Sequence, residues 1–237
     1  MRVRPTGLFA RVRRGTACAS CQCPLNQPLE GPVCEACWRA ISRVGPPLCV
    51  RCGNTLAAES AGPWCPICAR GRSIGVLIRS AGRYADPLRK ILHAANAAKS
   101  RWLTARLAGL LLEAGRDLLR CADAVVPVPA RPRAPWGRAV GRADDLVRHL
   151  GVPVARVLGR HGCGPIYVRA RLARGLRNRA VILVDDVVST GATIDACARA
   201  LWAAGVRTVG ALTVARAAPA PPGRRPLRPR PLAVPHR

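Results

Sequence analysis

The chain has 237 residues, with 39 Lys+Arg against 12 Asp+Glu, for a formal net charge of +27. A hydrophobic content of 49% excludes wholesale disorder, and no apolar run approaches the ~20 residues of a membrane span. All cations except Lys90 and Lys99 are arginines, which stay charged and grip phosphate bidentately; this points to a polyanionic partner or substrate, beside the plainer reading of an Arg/Ala/Pro/Gly-rich chain with a solvated basic surface.

Residues 1–16 carry five arginines and no acid, and residues 217–237 carry five more among many prolines. Both ends are expected to be disordered, because neither can bury enough apolar area to offset its ordering entropy. The apolar piece Gly7–Ala10 is too short for a signal-peptide core, which predicts a cytoplasmic protein. In that reducing compartment cysteines read as metal ligands before disulfides.

Nine of the twelve cysteines lie within residues 18–68. Eight form C-x-x-C pairs: Cys18/Cys21, Cys34/Cys37, Cys49/Cys52 and Cys65/Cys68. The last two pairs repeat the first two 31 residues later, Leu25 matches Leu56, and Gly31-Pro32 matches Gly62-Pro63, which indicates a duplicated unit. Each unit, C-x2-C-x12-C-x2-C, supplies four thiolates for a closed tetrahedral site with no position left for water. Residues 17–72 are therefore expected to hold two structural zinc ions that provide the module's folding free energy, with iron or redox chemistry as the alternative. The repeat favours one ion per unit, and the spacing also permits a crossed pairing. Cys23 reads as a spare thiol beside the first knuckle, Cys197 as a small core residue, and Cys121 and Cys163 as isolated.

From residue 73 the pattern alternates between strands and helices. Ile74–Arg79 reads as a strand. A helix follows, with Asp86 at its N-cap and Pro87 at its first position. Trp102–Leu119 places Leu103, Leu107, Leu110, Leu111 and Leu118 on one helical face. Ala124–Val128 is a short apolar run, Asp144–Leu150 a helix, Val181–Val184 a buried strand, Thr193–Ala204 a helix ended by Gly205, and Thr208–Val214 a strand. This alternation predicts an α/β domain over 73–216, with a mainly parallel sheet and flanking helices.

One segment carries chemistry: Val181-Ile-Leu-Val-Asp-Asp-Val-Val-Ser-Thr-Gly-Ala-Thr193. A buried strand ends in two acids, and a small hydroxyl- and glycine-containing loop leads into a helix. Ligands of open α/β sheets bind at the carboxyl ends of strands. Loop N–H groups and a helix N-terminus suit phosphate, and the carboxylates suit sugar hydroxyls or a divalent cation. The plain alternative is a strand-turn-helix with Thr193 as N-cap. His93, His149, His161 and His236 are scattered and read as surface or structural. Trp38 and Trp64 adjoin the knuckles, where they could stack bases or cover the metal sites.

All thirteen of these positions fit the phosphoribosyl-pyrophosphate (PRPP) signature of type I phosphoribosyltransferases. With the Cys-rich module and Val126-Pro127-Val128-Pro129, they resemble the ComF family of competence proteins, also called GntX-type or amidophosphoribosyltransferase-like, over roughly Cys18–Arg216. The resemblance implies a zinc module on a type I phosphoribosyltransferase fold. It implies that Asp185 and Asp186 contact the ribose as catalytic residues, and that Val187, Val188, Ser189, Thr190, Gly191, Ala192 and Thr193 form the phosphate loop. Arg131 and Arg133 fall where pyrophosphate is held, with magnesium accompanying PRPP. It further implies a role in DNA uptake, with single-stranded DNA and a competence helicase as partners. Arg171–Arg179 and Trp136–Asp145 depart from the family's pattern, so a catalytically inactive accessory protein stands beside a phosphoribosyltransferase.

Overall fold

The apolar run at Val181–Val184 acquires a neighbour of its own kind on each side. In the computed structural model, which describes residues 17–25, 31–57, 62–69, 75–130, 143–162 and 164–217, the elements follow in this order. They are α1 (Glu35–Arg39), α2 (Pro66–Ala69), β1 (Leu77–Arg83), α3 (Leu88–Ala98), α4 (Arg101–Arg120), β2 (Ala124–Pro127), α5 (Ala143–Leu146), β3 (Leu158–Arg160), β4 (Ile166–Val168), α6 (Ala170–Ala173), β5 (Ala180–Val188), α7 (Ala192–Ala203) and β6 (Thr208–Arg216). Single 3-10 turns extend α5 and α6. Four strands form a parallel sheet in the order β1-β6-β5-β2. Its middle strands are covered on both faces, which is why they read as unbroken apolar runs rather than alternating ones.

One face packs Ile182, Val184, Leu212 and Val214 against α3 and α4, through Leu103, Leu107 and Leu111. The other packs Val126, Leu183 and Ala211 against Ile194, Cys197 and Leu201 of α7. Ser100 caps α4, its hydroxyl accepting from the Leu103 N–H at 3.3 Å. Cys18, Val33, Cys37, Trp38 and Ile41 join the α3–α4 cluster, so the first half of the cysteine module shares a core with the sheet's helical layer. Among the described residues no helix is long and apolar enough to cross a membrane.

Several expectations need correction. Asp86 does not cap α3: its carboxylate takes a bidentate contact from Arg89 (2.9 and 3.2 Å), and Pro87 occupies the cap position. The strand expected at 181–184 continues to Val188, because β6 offers a full ladder, with Asp185 opposite Thr213 and Val188 opposite Arg216. The helix of 144–150 is split into α5 and a 3-10 turn. The antiparallel hairpin β3–β4 has no counterpart among the elements expected from sequence.

Gly53 shows that a glycine can be required by proximity rather than torsion. Its φ is +68°, yet its equivalent in the first knuckle is Gln22, with a φ of 66°. What differs is that a Cβ on residue 53 would overlap the Ile78 carbonyl of β1. Gly53→Ala is therefore expected to destabilise the protein by about 2 kcal/mol or more, measured by denaturant unfolding, whereas Gln22→Ala changes little.

Asp123 pins the entry to β2. It accepts from the Ala180 N–H at 2.7 Å and from Arg179 at 3.1 Å, and the Ala180 N–H followed by the guanidinium hold its carboxyl below the usual range. A depressed carboxylate stabilises the fold above its unfolded pKa and loses that effect as pH falls through the folded value. The Tm difference between wild type and Asp123→Asn should therefore be present at pH 6–7 and shrink below about pH 4.

Candidate functional site

The duplication seen in sequence is reproduced bond for bond in the backbone. The Cys18 N–H donates to Cys23 C=O (2.8 Å) as Cys49 does to Asn54 (2.7 Å). Gln22 donates to Cys18 as Gly53 does to Cys49, and Ala19 to Pro32 as Val50 does to Pro63. Each knuckle closes on a short helix, α1 or α2, that carries the final cysteine.

Cys18, Cys21, Cys34 and Cys37 form one cluster, and Cys49, Cys52, Cys65 and Cys68 the other, with all Sγ atoms in each lying within 4.8 Å. The crossed pairing is thereby excluded. A tetrahedral zinc with Zn–S near 2.3 Å places its sulfurs about 3.8 Å apart. The Sγ separations are 3.8 Å for Cys18–Cys37, 3.7 Å for Cys21–Cys34 and 3.6 Å for Cys52–Cys65. The Ser20 and Cys34 N–H groups point at the Cys18 sulfur (3.4 and 3.3 Å), as thiolates require. Cys21 is brought down to about 6, by the Cys23 N–H and then by Cys18, while burial pushes Cys37 up to about 12. Thiols this close share their ionisation until a cation takes all four as thiolates. The two four-cysteine groups could hold structural zinc. Cys23 lies outside the set.

At the carboxyl end of β5, Asp185 and Asp186 are neighbours within a strand and so leave it on opposite faces. Asp185 is half-buried on the α7 side, in register with Thr213, whose hydroxyl meets that of Ser80 at 2.7 Å. Its charge adds to burial in pushing the Cys197 thiol up to about 12. Asp186 lies on the α4 side and is only 6% exposed. Its Oδ1 accepts from the Val187 N–H at 2.8 Å, and its buried Oδ2 has no hydrogen-bond partner among the described residues. Ser189 and Thr190 are exposed. Gly191, at φ +82°, turns the chain into α7 as its N-cap, so Thr193 is not the cap. Ala192 and Thr193 begin α7, and the first N–H groups of that twelve-residue helix face the turn. Arg131 and Arg133 lie outside the described residues, as do Cys163 and His236.

Two arginines near this edge were not singled out from sequence. Arg160 of β3 bears electrostatically on Cys197 beside Asp185, and its Nε is buried with no hydrogen-bond partner among the described residues. Arg216, the last residue of β6, is buried and donates to Cys52. An arginine in a chain with so many carries no signal of its own. Trp38 is 5% exposed, with its ring edge-on to Trp102 and under Arg106, and is no stacking platform. Trp64 remains 51% exposed. His93 pairs with Tyr84 at 3.1 Å, and His161 stacks on Tyr167.

A family model described as phosphoribosyl transferase domain matches residues 134–225. Competence protein F of Haemophilus influenzae is 27% identical over 84% of this chain and 96% of its own. The DNA utilization protein YhgH of Salmonella typhimurium is 30% identical over 81% of this chain and 93% of its own. The chain belongs to the ComF family. Its ComF relatives are covered nearly end to end. The ComF chain thus joins two four-cysteine clusters to a type I phosphoribosyltransferase fold with a mainly parallel sheet. Among solved structures, orotate phosphoribosyltransferase from Aeropyrum pernix is 28% identical, covering 63% of this chain and 78% of that one, at a TM-score of 0.36.

Proposed function

We propose that this ComF-family protein binds PRPP, or a closely related phosphorylated ribose, at the carboxyl end of β5, and that it serves DNA uptake from the cytoplasm. The observation that carries the reading is Asp186: a buried carboxylate oxygen with no hydrogen-bond partner among the described residues, in the strand whose following loop enters α7. Such an oxygen calls for a donor or a cation. A ribose hydroxyl or a magnesium ion accompanying the pyrophosphate meets that demand, and Asp185, on the α7 side of the strand end, is assigned to the ribose hydroxyls. The N–H groups of Thr190–Thr193 and the α7 N-terminus suit the 5′-phosphate. Arg131 and Arg133 are assigned to the pyrophosphate.

Bound there, magnesium would neutralise the pyrophosphate as leaving group. The residues' own contribution to phosphoribosyl transfer is electrostatic: the acids favour positive charge developing on the ribose, and the arginines favour negative charge on the departing oxygens. The acceptor is unassigned, and a binding-only pocket uses the same contacts without turnover.

A second reading, a single-stranded-DNA-binding accessory factor that works with a competence helicase, is favoured by Trp64. It is exposed on the second knuckle with the Arg51 guanidinium 5.9 Å from its ring centre, a pairing on which a base can stack.

A thermal-shift titration separates these readings. PRPP with Mg2+ should raise Tm in proportion to the logarithm of its concentration above Kd. No shift at millimolar PRPP, together with salt-sensitive binding of oligo-dT that Trp64→Ala weakens, would replace the first reading by the second.

A further inference from the structure

The two four-cysteine sites share a backbone and differ in what faces them. Around the first, Trp38 packs on Trp102, and Arg106 lies over both rings (4.6 and 5.2 Å) while paired with Glu35 at 3.1 Å. That site is fixed to the helical layer. The second site faces a buried cation, Arg216, 9% exposed, whose Nη2 donates to the Cys52 carbonyl at 2.6 Å and whose Nε is buried with no hydrogen-bond partner among the described residues. A guanidinium taken out of water needs a counter-charge. Four thiolates around a divalent metal supply one, because the set carries two net negative charges.

The main chain of Arg216 is tied to the ligand edge of the sheet. Its carbonyl accepts from the Tyr84 N–H (2.8 Å), it pairs with Arg83 on one side and Val188 on the other, and the next N–H, that of Ala217, donates to the Val188 carbonyl (2.8 Å). Val188 directly precedes the loop Ser189–Thr193.

We propose that the second four-cysteine site is a positioning element for the phosphate loop, acting through Arg216. The metal-bound knuckle holds the guanidinium through the Cys52 carbonyl, the guanidinium fixes the ends of β6 and β5, and that end sets residues 185–193. Among the described residues the first unit reaches this edge only past its last cysteine, where the Arg83 N–H donates to the Ser42 carbonyl (2.8 Å) and the Val44 N–H to the Ala81 carbonyl (3.2 Å). The sense given to the loop rests on the PRPP reading, whereas the coupling itself does not.

Hydrogen exchange on the full, zinc-loaded chain tests it without any ligand. Cys65→Ser should raise exchange across residues 185–193 at least tenfold, and Cys34→Ser should raise it most around α1 and α4, with a rise in the loop several-fold smaller than that in Cys65→Ser. Arg216→Met, which keeps all eight thiols, guards against a second-site variant that merely misfolds. It should release one of two zinc ions to chelator at least tenfold faster and reproduce the loop's increase. Arg216→Lys should restore most of the metal retention. Equal loop exchange in Cys34→Ser and Cys65→Ser would overturn the proposal, as would an Arg216→Met protein with wild-type zinc release and loop exchange. A protein that behaves as predicted but fails to bind PRPP would sink the function proposed above and leave this coupling standing.

Discussion

Stripping metal from both four-cysteine sites is expected to unfold residues 17–69 and to loosen the helical layer behind them. The second unit has almost no core apart from its sulfurs: among the described residues its hydrophobic cluster holds Cys49, Cys65 and Cys68, with Cys52 and Leu56 against them. Zinc bound to four thiolates contributes on the order of 10 kcal/mol or more of apparent folding free energy at neutral pH, which exceeds the whole stability of many domains. Because Cys18, Val33, Cys37 and Trp38 belong to the α3–α4 core, loss of the first ion should also lower the stability of the sheet. The check is metal content with unfolding followed by circular dichroism. Purified protein should carry two zinc ions, Cys49→Ser one, and strong chelator should cause cooperative loss of structure. Well under two ions, with a chelator-insensitive fold, would remove the zinc assignment.

Asp186→Asn is expected to separate function from structure. Asn keeps the shape and the acceptor for the Val187 N–H, and it removes a charge buried at 6% exposure with one oxygen unpartnered. A residue retained for folding would cost stability when changed. Here the variant should be as stable as wild type or gain up to about 1 kcal/mol, because a buried unpaired charge is relieved. Its affinity for PRPP–Mg2+ should fall at least tenfold, the scale of a lost charge-assisted contact. Denaturant unfolding and a binding titration on one sample decide it. A destabilised variant with unchanged affinity would make Asp186 a structural residue.

The most legible features were those in which chemistry fixes spacing. Metal ligation demands C-x-x-C knuckles, and the 31-residue repeat gave the pairing that the Sγ clusters bear out. A strand buried on both faces must be an apolar run, so β5 and β6 were readable at their cores. Their ends were not: Asp185 and Asp186 are poor strand residues on propensity, and they stay in β5 because the ladder with β6 runs past them, with Asp185 opposite Thr213 and Val188 opposite Arg216. The hairpin β3–β4 was hidden because its strands are three residues long and Ile166, Tyr167 and Val168 are each only half-buried, leaving no periodicity to read. Trp38 and Trp64 look alike beside a knuckle, and only the docking of the first unit on α4 separates a core tryptophan from an exposed one. Arg216 was invisible for a like reason. Its burial depends on where the second four-cysteine site is folded back, 164 residues away in sequence.

Calorimetric titration of PRPP with Mg2+ into the zinc-loaded chain tests the central claim most directly. One site per chain is predicted, with binding that depends on Mg2+ and is lost when Asp185 and Asp186 are both changed to Asn. No binding at millimolar PRPP, or equal binding by the doubly substituted protein, would contradict a phosphoribosyl site at the end of β5.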